Sequence, residues 1–120
     1  MAAYAANIET ETLYNGNYRK VLHTTPQMQL VVMKLRPLES VPMEVHPHTT
    51  QFLRIEQGQA TVIVDGNMYL LGDGDVIIIP AGTAHVIINE GVEDLAFYTI
   101  YSPPEHSSRC IQKRPNSREC

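Results

Sequence analysis

Histidine, glutamate and glutamine fall together in one short stretch, Glu44-Val45-His46-Pro47-His48, with Gln51 three residues further on. In an extended chain successive side chains point to opposite faces, so positions 44, 46 and 48 share one face. A carboxylate, an imidazole and an amide close to a second imidazole would make a site for a divalent transition metal. His85, which opens the apolar run Val86-Ile87-Ile88, offers that second imidazole. Taken alone, a histidine on such a strand is more often a hydrogen-bonded core residue than a ligand.

The elements that must position these groups read as strands almost throughout. Apolar or alternating runs occur at Gln29–Leu35, Phe52–Ile55, Ala60–Val64, Met68–Leu71, Val76–Ile79, His85–Ile88 and Leu95–Tyr101, each bounded by Gly, Pro, Asn or Asp. Asp65-Gly66 is a hairpin signal, because glycine tolerates the positive φ of tight turns. Pro80 cannot donate to a ladder and should end its strand, and Gly82 permits the reversal into the strand that His85 opens. The segment Gly74–Ile79 reads as a strand buried on both faces. No stretch of ten residues carries a helical stripe. Evenly spaced short strands predict an all-β sandwich or barrel in one domain, with its core at about 18–104 and looser tails on either side.

Composition narrows the function classes. The chain has 120 residues, 43% hydrophobic and 18% charged, ordinary for a globular domain. Of its nine basic residues, Arg109, Lys113, Arg114 and Arg118 lie in the last twelve positions, beside one acid, Glu119. That leaves five basic residues against twelve acidic ones in the body, a poor match for a phosphate backbone, so no nucleic acid partner is expected. The start, Met1-Ala2-Ala3-Tyr4-Ala5-Ala6, lacks a basic and a long apolar region, and no window is long enough to span a bilayer. No membrane partner is expected, and the cytoplasm is the default. Cys110 and Cys120 both lie in the tail and are read as free thiols, although they could bridge to each other or between chains.

The string Gly74, five residues, Pro80-Ala81-Gly82, two residues, His85, three residues, Asn89 resembles the second motif of the cupin superfamily, G-x5-P-x-G-x2-H-x3-N, at every fixed position. The earlier segment resembles the first motif, H-x-H, three or four residues, E, six residues, G. With Gly58 as its glycine, Gln51 stands in the glutamate position, His46 in that of the second histidine and Glu44 in that of the first. The alternative takes His46-Pro47-His48 as the H-x-H pair with a two-residue spacer. The first register is preferred, because a one-residue slip would turn every side chain over. The resemblance covers about Pro42 to Asn89, and Pro103-Pro104-Glu105-His106 is similar to a subgroup of small one-domain cupins, some labelled as resembling mannose-6-phosphate isomerases.

This resemblance implies a double-stranded β-helix, or jelly-roll, barrel that holds a divalent metal (Fe, Mn, Ni or Zn) on Glu44, His46, Gln51 and His85, with His48 as an alternate. It implies an isomerase, lyase or dioxygenase type of enzyme acting on a small polar molecule such as a sugar derivative or a hydroxy or keto acid. In such an enzyme the metal would polarise a bound oxygen, and Glu44 could carry a proton. His106 could fold back over the barrel mouth as an acid or base. The family also contains non-catalytic binding modules, which is the rival reading. A homodimer is expected by the same analogy. Of the remaining candidates, His23 reads as surface or core, Arg54 as a partner for an anionic substrate or a solvent-facing residue, and some of Phe97, Tyr98 and Tyr101 as cavity lining.

Overall fold

Alternation along the chain becomes two sheets facing each other, a jelly-roll. The computed structural model describes residues 2–117 and 120. The strands are β1 (Arg19–Thr24), β2 (Gln29–Leu35), β3 (Ser40–Glu44), β4 (Thr50–Gln57), β5 (Ala60–Val64), β6 (Asn67–Leu71), β7 (Val76–Ile79), β8 (His85–Ile88), β9 (Leu95–Ser102) and β10 (Ile111–Gln112). One sheet has the order β10-β1-β2-β9-β4-β7 and the other β3-β8-β5-β6, with every pairing antiparallel.

Register places whole rows of side chains on the inner face of the larger sheet. Gln29, Tyr101, Gln51 and Ile79 lie opposite one another across β2, β9, β4 and β7. The next row is Val31, Thr99, Leu53 and Ile77, and the one after it is Arg19, Met33, Phe97 and Ile55. Leu53, Ile55, Phe97, Met33 and Val31 are almost fully buried and join Val41, Val62 and Ile87 of the other sheet in the core. One end of this interior is therefore apolar except for Arg19, while the Gln29 row makes the other end polar.

The spaced residues of the Gly74–Asn89 string have visible structural duties. Gly74 N–H donates to the Ile55 carbonyl at 2.7 Å, and Gly82 N–H to the His46 carbonyl at 2.8 Å. Asn89 is completely buried; its Nδ2 donates to the carbonyls of Leu35 and Glu93, and its Oδ1 accepts from Gly91 N–H, each at 2.9 Å. Gly58 adopts φ +99°, and a Cβ there would lie 2.7 Å from the Asp94 carbonyl oxygen. Only glycine fits that approach.

Two expectations are corrected, the burial of β7 and the state of the cysteines. A seven-residue helix, α1 (Ile8–Tyr14), precedes the barrel, capped by Asn7, whose Oδ1 accepts from Thr10 N–H at 2.9 Å. It is too short to carry a visible stripe and buries only Thr12. Strand β7 is not buried on both faces: Val76 is 45% and Ile78 60% exposed, because β7 is an edge strand with only its Ile77/Ile79 face toward the core. In the C-terminal segment β10 pairs with β1, and Arg114 Nη1 lies 3.3 Å from Glu39 Oε2. Finally, Cys110 and Cys120 form a disulfide rather than free thiols, with their Cα atoms 4.7 Å apart. Arg118 and Glu119 of the predicted charged tail lie outside the described residues. Among the described residues no helix is long and apolar enough to cross a membrane.

Candidate metal centre

Glu44 ends β3 and His85 opens β8, and the ladder sets them directly opposite each other. His46 follows two residues after β3, and Gly82, in the turn before β8, fixes its carbonyl. Glu44 Oε1 lies 3.5 Å from His46 Nε2 and 3.9 Å from His85 Nε2. One donor atom from each of Glu44, His46 and His85 falls within 4.8 Å of the others, so the three could hold a metal ion. The ring centroids of His46 and His85 are 5.2 Å apart.

Each ring has its other nitrogen occupied. His85 Nδ1 is 3.0 Å from the Thr83 carbonyl, an acceptor only, so Nδ1 carries the proton and the Nε2 lone pair is free. His46 Nδ1 lies 3.3 Å from Glu105 Oε1. Both Nε2 atoms are buried without a hydrogen-bond partner. Buried polar atoms are normally partnered, so two unpaired imidazole nitrogens facing one carboxylate fit a cation between them.

Gln51 is 2% exposed on β4. Its Nε2 donates to Thr99 Oγ1 at 3.0 Å, and Thr99 Oγ1 itself donates to the Phe52 carbonyl at 2.8 Å. That chain of donors fixes which way the amide points and leaves Oε1 buried and unpaired. Gln51 Nε2 also lies 3.4 Å from the hydroxyl of Tyr101, whose ring stands edge-on to His46 at 5.7 Å. His48 is elsewhere. Pro47 and His48 form a turn, which breaks the alternation, and His48 is exposed outside the group of three.

His106 does fold back toward this end of the barrel. Buried Gln29 holds the segment: its Oε1 accepts from the backbone N–H of Glu105 and of His106, and its Nε2 donates to the His106 carbonyl at 2.8 Å. The His106 ring stands edge-on to Tyr101 at 5.1 Å, with Nε2 buried and unpaired. Of Phe97, Tyr98 and Tyr101, Tyr101 faces this site, Phe97 the apolar core, and Tyr98 lies outside near Phe52. Arg54 pairs with Glu56 on its own strand. His23 stacks with Tyr4, at 5.2 Å between centroids.

The charges are coupled. Burial pushes the Glu44 carboxyl up, but the adjacent His46 imidazole, 3.5 Å away, and the charges of Arg19 and His85 more than offset it, so Glu44 stays below its usual range. The adjacent Glu44 carboxylate raises His46 against the cost of burial, with Glu105 adding to the rise. Burial, then Arg19, pushes His106 down to about 4. Burial raises the Tyr101 phenol.

Arg19 is the participant that the sequence reading missed. It is 7% exposed and belongs to an interior row of the barrel. The available signal was its spacing: two residues before inward-facing Val21, it puts a charge at an inward position.

A family model described as Cupin domain matches residues 31–101. An uncharacterized protein of Acanthamoeba polyphaga mimivirus is 44% identical over 95% of this chain and 74% of its own length. The uncharacterized protein YrkC of Bacillus subtilis is 38% identical over 86% of this chain, which spans 59% of YrkC. A crystal structure of a Bacillus halodurans protein superposes with a TM-score of 0.93 at 33% identity, covering 95% of this chain and 91% of that one.

Proposed function

From the premise that this chain belongs to the cupin domain family, we propose that it is a metal-dependent enzyme acting on a small polar molecule, of isomerase, lyase or dioxygenase type. Glu44, His46 and His85 hold a divalent iron, manganese, nickel or zinc ion, with the Gln51 Oε1 as a neutral fourth donor. The observation that carries this reading is the pair of unpaired, buried atoms His46 Nε2 and His85 Nε2 beside the Glu44 carboxylate, with the unpaired Gln51 Oε1 in the row of Tyr101, whose ring meets His46. When bound, such a metal supplies Lewis acidity toward a substrate carbonyl or hydroxyl oxygen.

The chain's own residues supply the rest. Glu105 and the Thr83 carbonyl orient the two imidazoles through their Nδ1 atoms. His106, neutral at pH 7, presents an unpaired Nε2 that can accept or relay a proton from a bound molecule. The ring of Tyr101 packs against both His46 and His106, and Gln29 holds the segment that carries Glu105 and His106.

The test is the metal content of protein purified without chelator or nickel resin, for wild type, His85→Ala and Glu44→Ala. Near-stoichiometric metal in the wild type, lost in both variants, is expected. A wild type that takes up no iron, manganese, nickel or zinc on reconstitution would sink the proposal and leave a metal-free binding barrel.

A further inference from the structure

Arg19 is a buried cation with no buried anion of its own. Its Nη1 donates to Gln112 Oε1 at 2.6 Å, and its guanidinium lies over the Tyr18 ring, 5.2 Å from the centroid. Both partners are neutral. Its Nε is buried and has no hydrogen-bond partner. The two carboxylates of the candidate centre, Glu44 and Glu105, approach His46 rather than Arg19. Among the described residues no carboxylate comes within 4.0 Å of the guanidinium.

Taking an unpaired guanidinium out of water costs several kcal/mol, and a neutral residue in the same place would avoid that cost. Arg19 is nonetheless in the interior, in the same inward row of its sheet as Met33 and Phe97. It is close enough to Glu44, His46, Tyr101 and His106 for its charge to act on all four. Gln112, itself buried on β10, occupies the Nη1 corner. The side of the fork that is left is the Nε edge, whose parallel N–H groups match the two oxygens of a carboxylate.

We propose that Arg19 binds a carboxylate of the substrate, so that the barrel selects small hydroxy or oxo acids over neutral molecules. The inference rests on the enzymatic reading above, and names the substrate class for that site. One guanidinium against one carboxylate balances charge and sets its two oxygens against the two N–H groups of the fork, a match that a neutral molecule does not offer. With the carboxylate on Arg19, the neighbouring hydroxyl or carbonyl oxygen is the group presented toward Glu44, His46 and His85.

The experiment measures binding of lactate, pyruvate, oxalate and malonate, with lactamide as the uncharged counterpart of lactate and inorganic phosphate as the competing anion. It uses calorimetry on samples of known metal content. The wild type is expected to bind at least one of the acids, and lactate about ten-fold or more tighter than lactamide if lactate is taken, as for hydrogen bonds to a charged group. Arg19→Met should lose about ten-fold or more in acid affinity and leave lactamide unchanged. A second measurement does not depend on that variant folding: the Nε–H resonance of Arg19 in wild-type protein, assigned with Arg19→Lys, should move on saturation with the bound acid and not with lactamide. Uptake of none of the acids, tighter binding of phosphate, or an Arg19 Nε–H signal unmoved by a bound acid would overturn the inference. Metal-free protein that still prefers acids in an Arg19-dependent way supports it while sinking the metal reading. Metal-loaded protein without the preference does the reverse.

Discussion

Glu105 Oε1 lies 3.3 Å from Nδ1 of His46, so a residue from the segment after β9 orients a candidate ligand at the end of β3. Carboxylates behind ligating histidines fix the ring and raise its basicity, and losing one typically costs about 10- to 100-fold in metal affinity. Glu105→Gln keeps the size and removes the charge. It should weaken metal binding by about ten-fold or more, read by competition with a chromophoric chelator, and leave the fold intact by circular dichroism. Unchanged affinity would mean that Glu105 is a solvent-facing neighbour.

Glycines that look equivalent in the sequence should differ in what a methyl group does. At Gly82, φ is +80° and a Cβ would meet nothing within 4 Å, so Gly82→Ala should cost only backbone strain, about 1–2 kcal/mol. At Gly58 the same methyl would strike the Asp94 carbonyl at 2.7 Å, in addition to φ +99°. Gly58→Ala should therefore cost more, about 3–4 kcal/mol, because backbone must shift. Urea unfolding of the two variants checks the order. Equal losses would show that the barrel yields freely at the β4–β5 turn.

Much of the barrel is legible because alternation and turn residues agree along β2, β4, β5, β8 and β9, where one face is buried and register is therefore specified. The metal-ligand candidates Glu44, His46 and His85 are legible through the resemblance to the two cupin motifs, in which they are counted from Gly58 and Gly82. His48 is misleading because period-two reasoning holds only while the chain is extended, and Pro47 and His48 turn. Strand β7 misleads differently: Val76 and Ile78 look like core residues, but edge position is a property of sheet order, which no local pattern carries. Arg19 escapes because a charge at an inward position runs against the pattern that marks a strand, and its partner Gln112 lies on β10, 93 residues away. The spacing of Cys110 and Cys120 is compatible with free thiols and with a bridge alike.

The neutral state of His106 gives a pH dependence with a definite sign. Its pKa is pushed down from 6.5 to about 4 by burial first, with Arg19 and His46 acting in the same direction and Glu44 in the opposite one. Between those values the unfolded chain holds more protons than the folded one, so stability falls as pH falls from about 6.5 to about 4. His106→Phe keeps a ring against Tyr101 and removes the titration. The stability of wild type relative to this variant should shrink steadily across that window in urea melts at pH 7.5, 6, 5 and 4.5. A difference that does not change with pH would mean that His106 takes its proton in the folded barrel as readily as in the unfolded chain.

Gln51 sits where a second carboxylate would be poorly tolerated without a cation and well tolerated with one. Its amide donates to Thr99 and leaves Oε1 unpaired, 2% exposed, in the same row as Tyr101. Gln51→Glu removes the donor, sets a carboxylate against the Thr99 hydroxyl oxygen, and adds a buried negative charge to a site that already holds Glu44. The metal-free variant should lose about 3 kcal/mol. A divalent ion binding between the two carboxylates should restore much of that loss, so the melting temperature should rise more on metal addition than it does for wild type. Gln51→Leu should do the opposite: it leaves the metal-free barrel about as stable as wild type and weakens metal binding. If both variants respond to metal as the wild type does, Gln51 is not a donor and the site consists of Glu44, His46 and His85 alone.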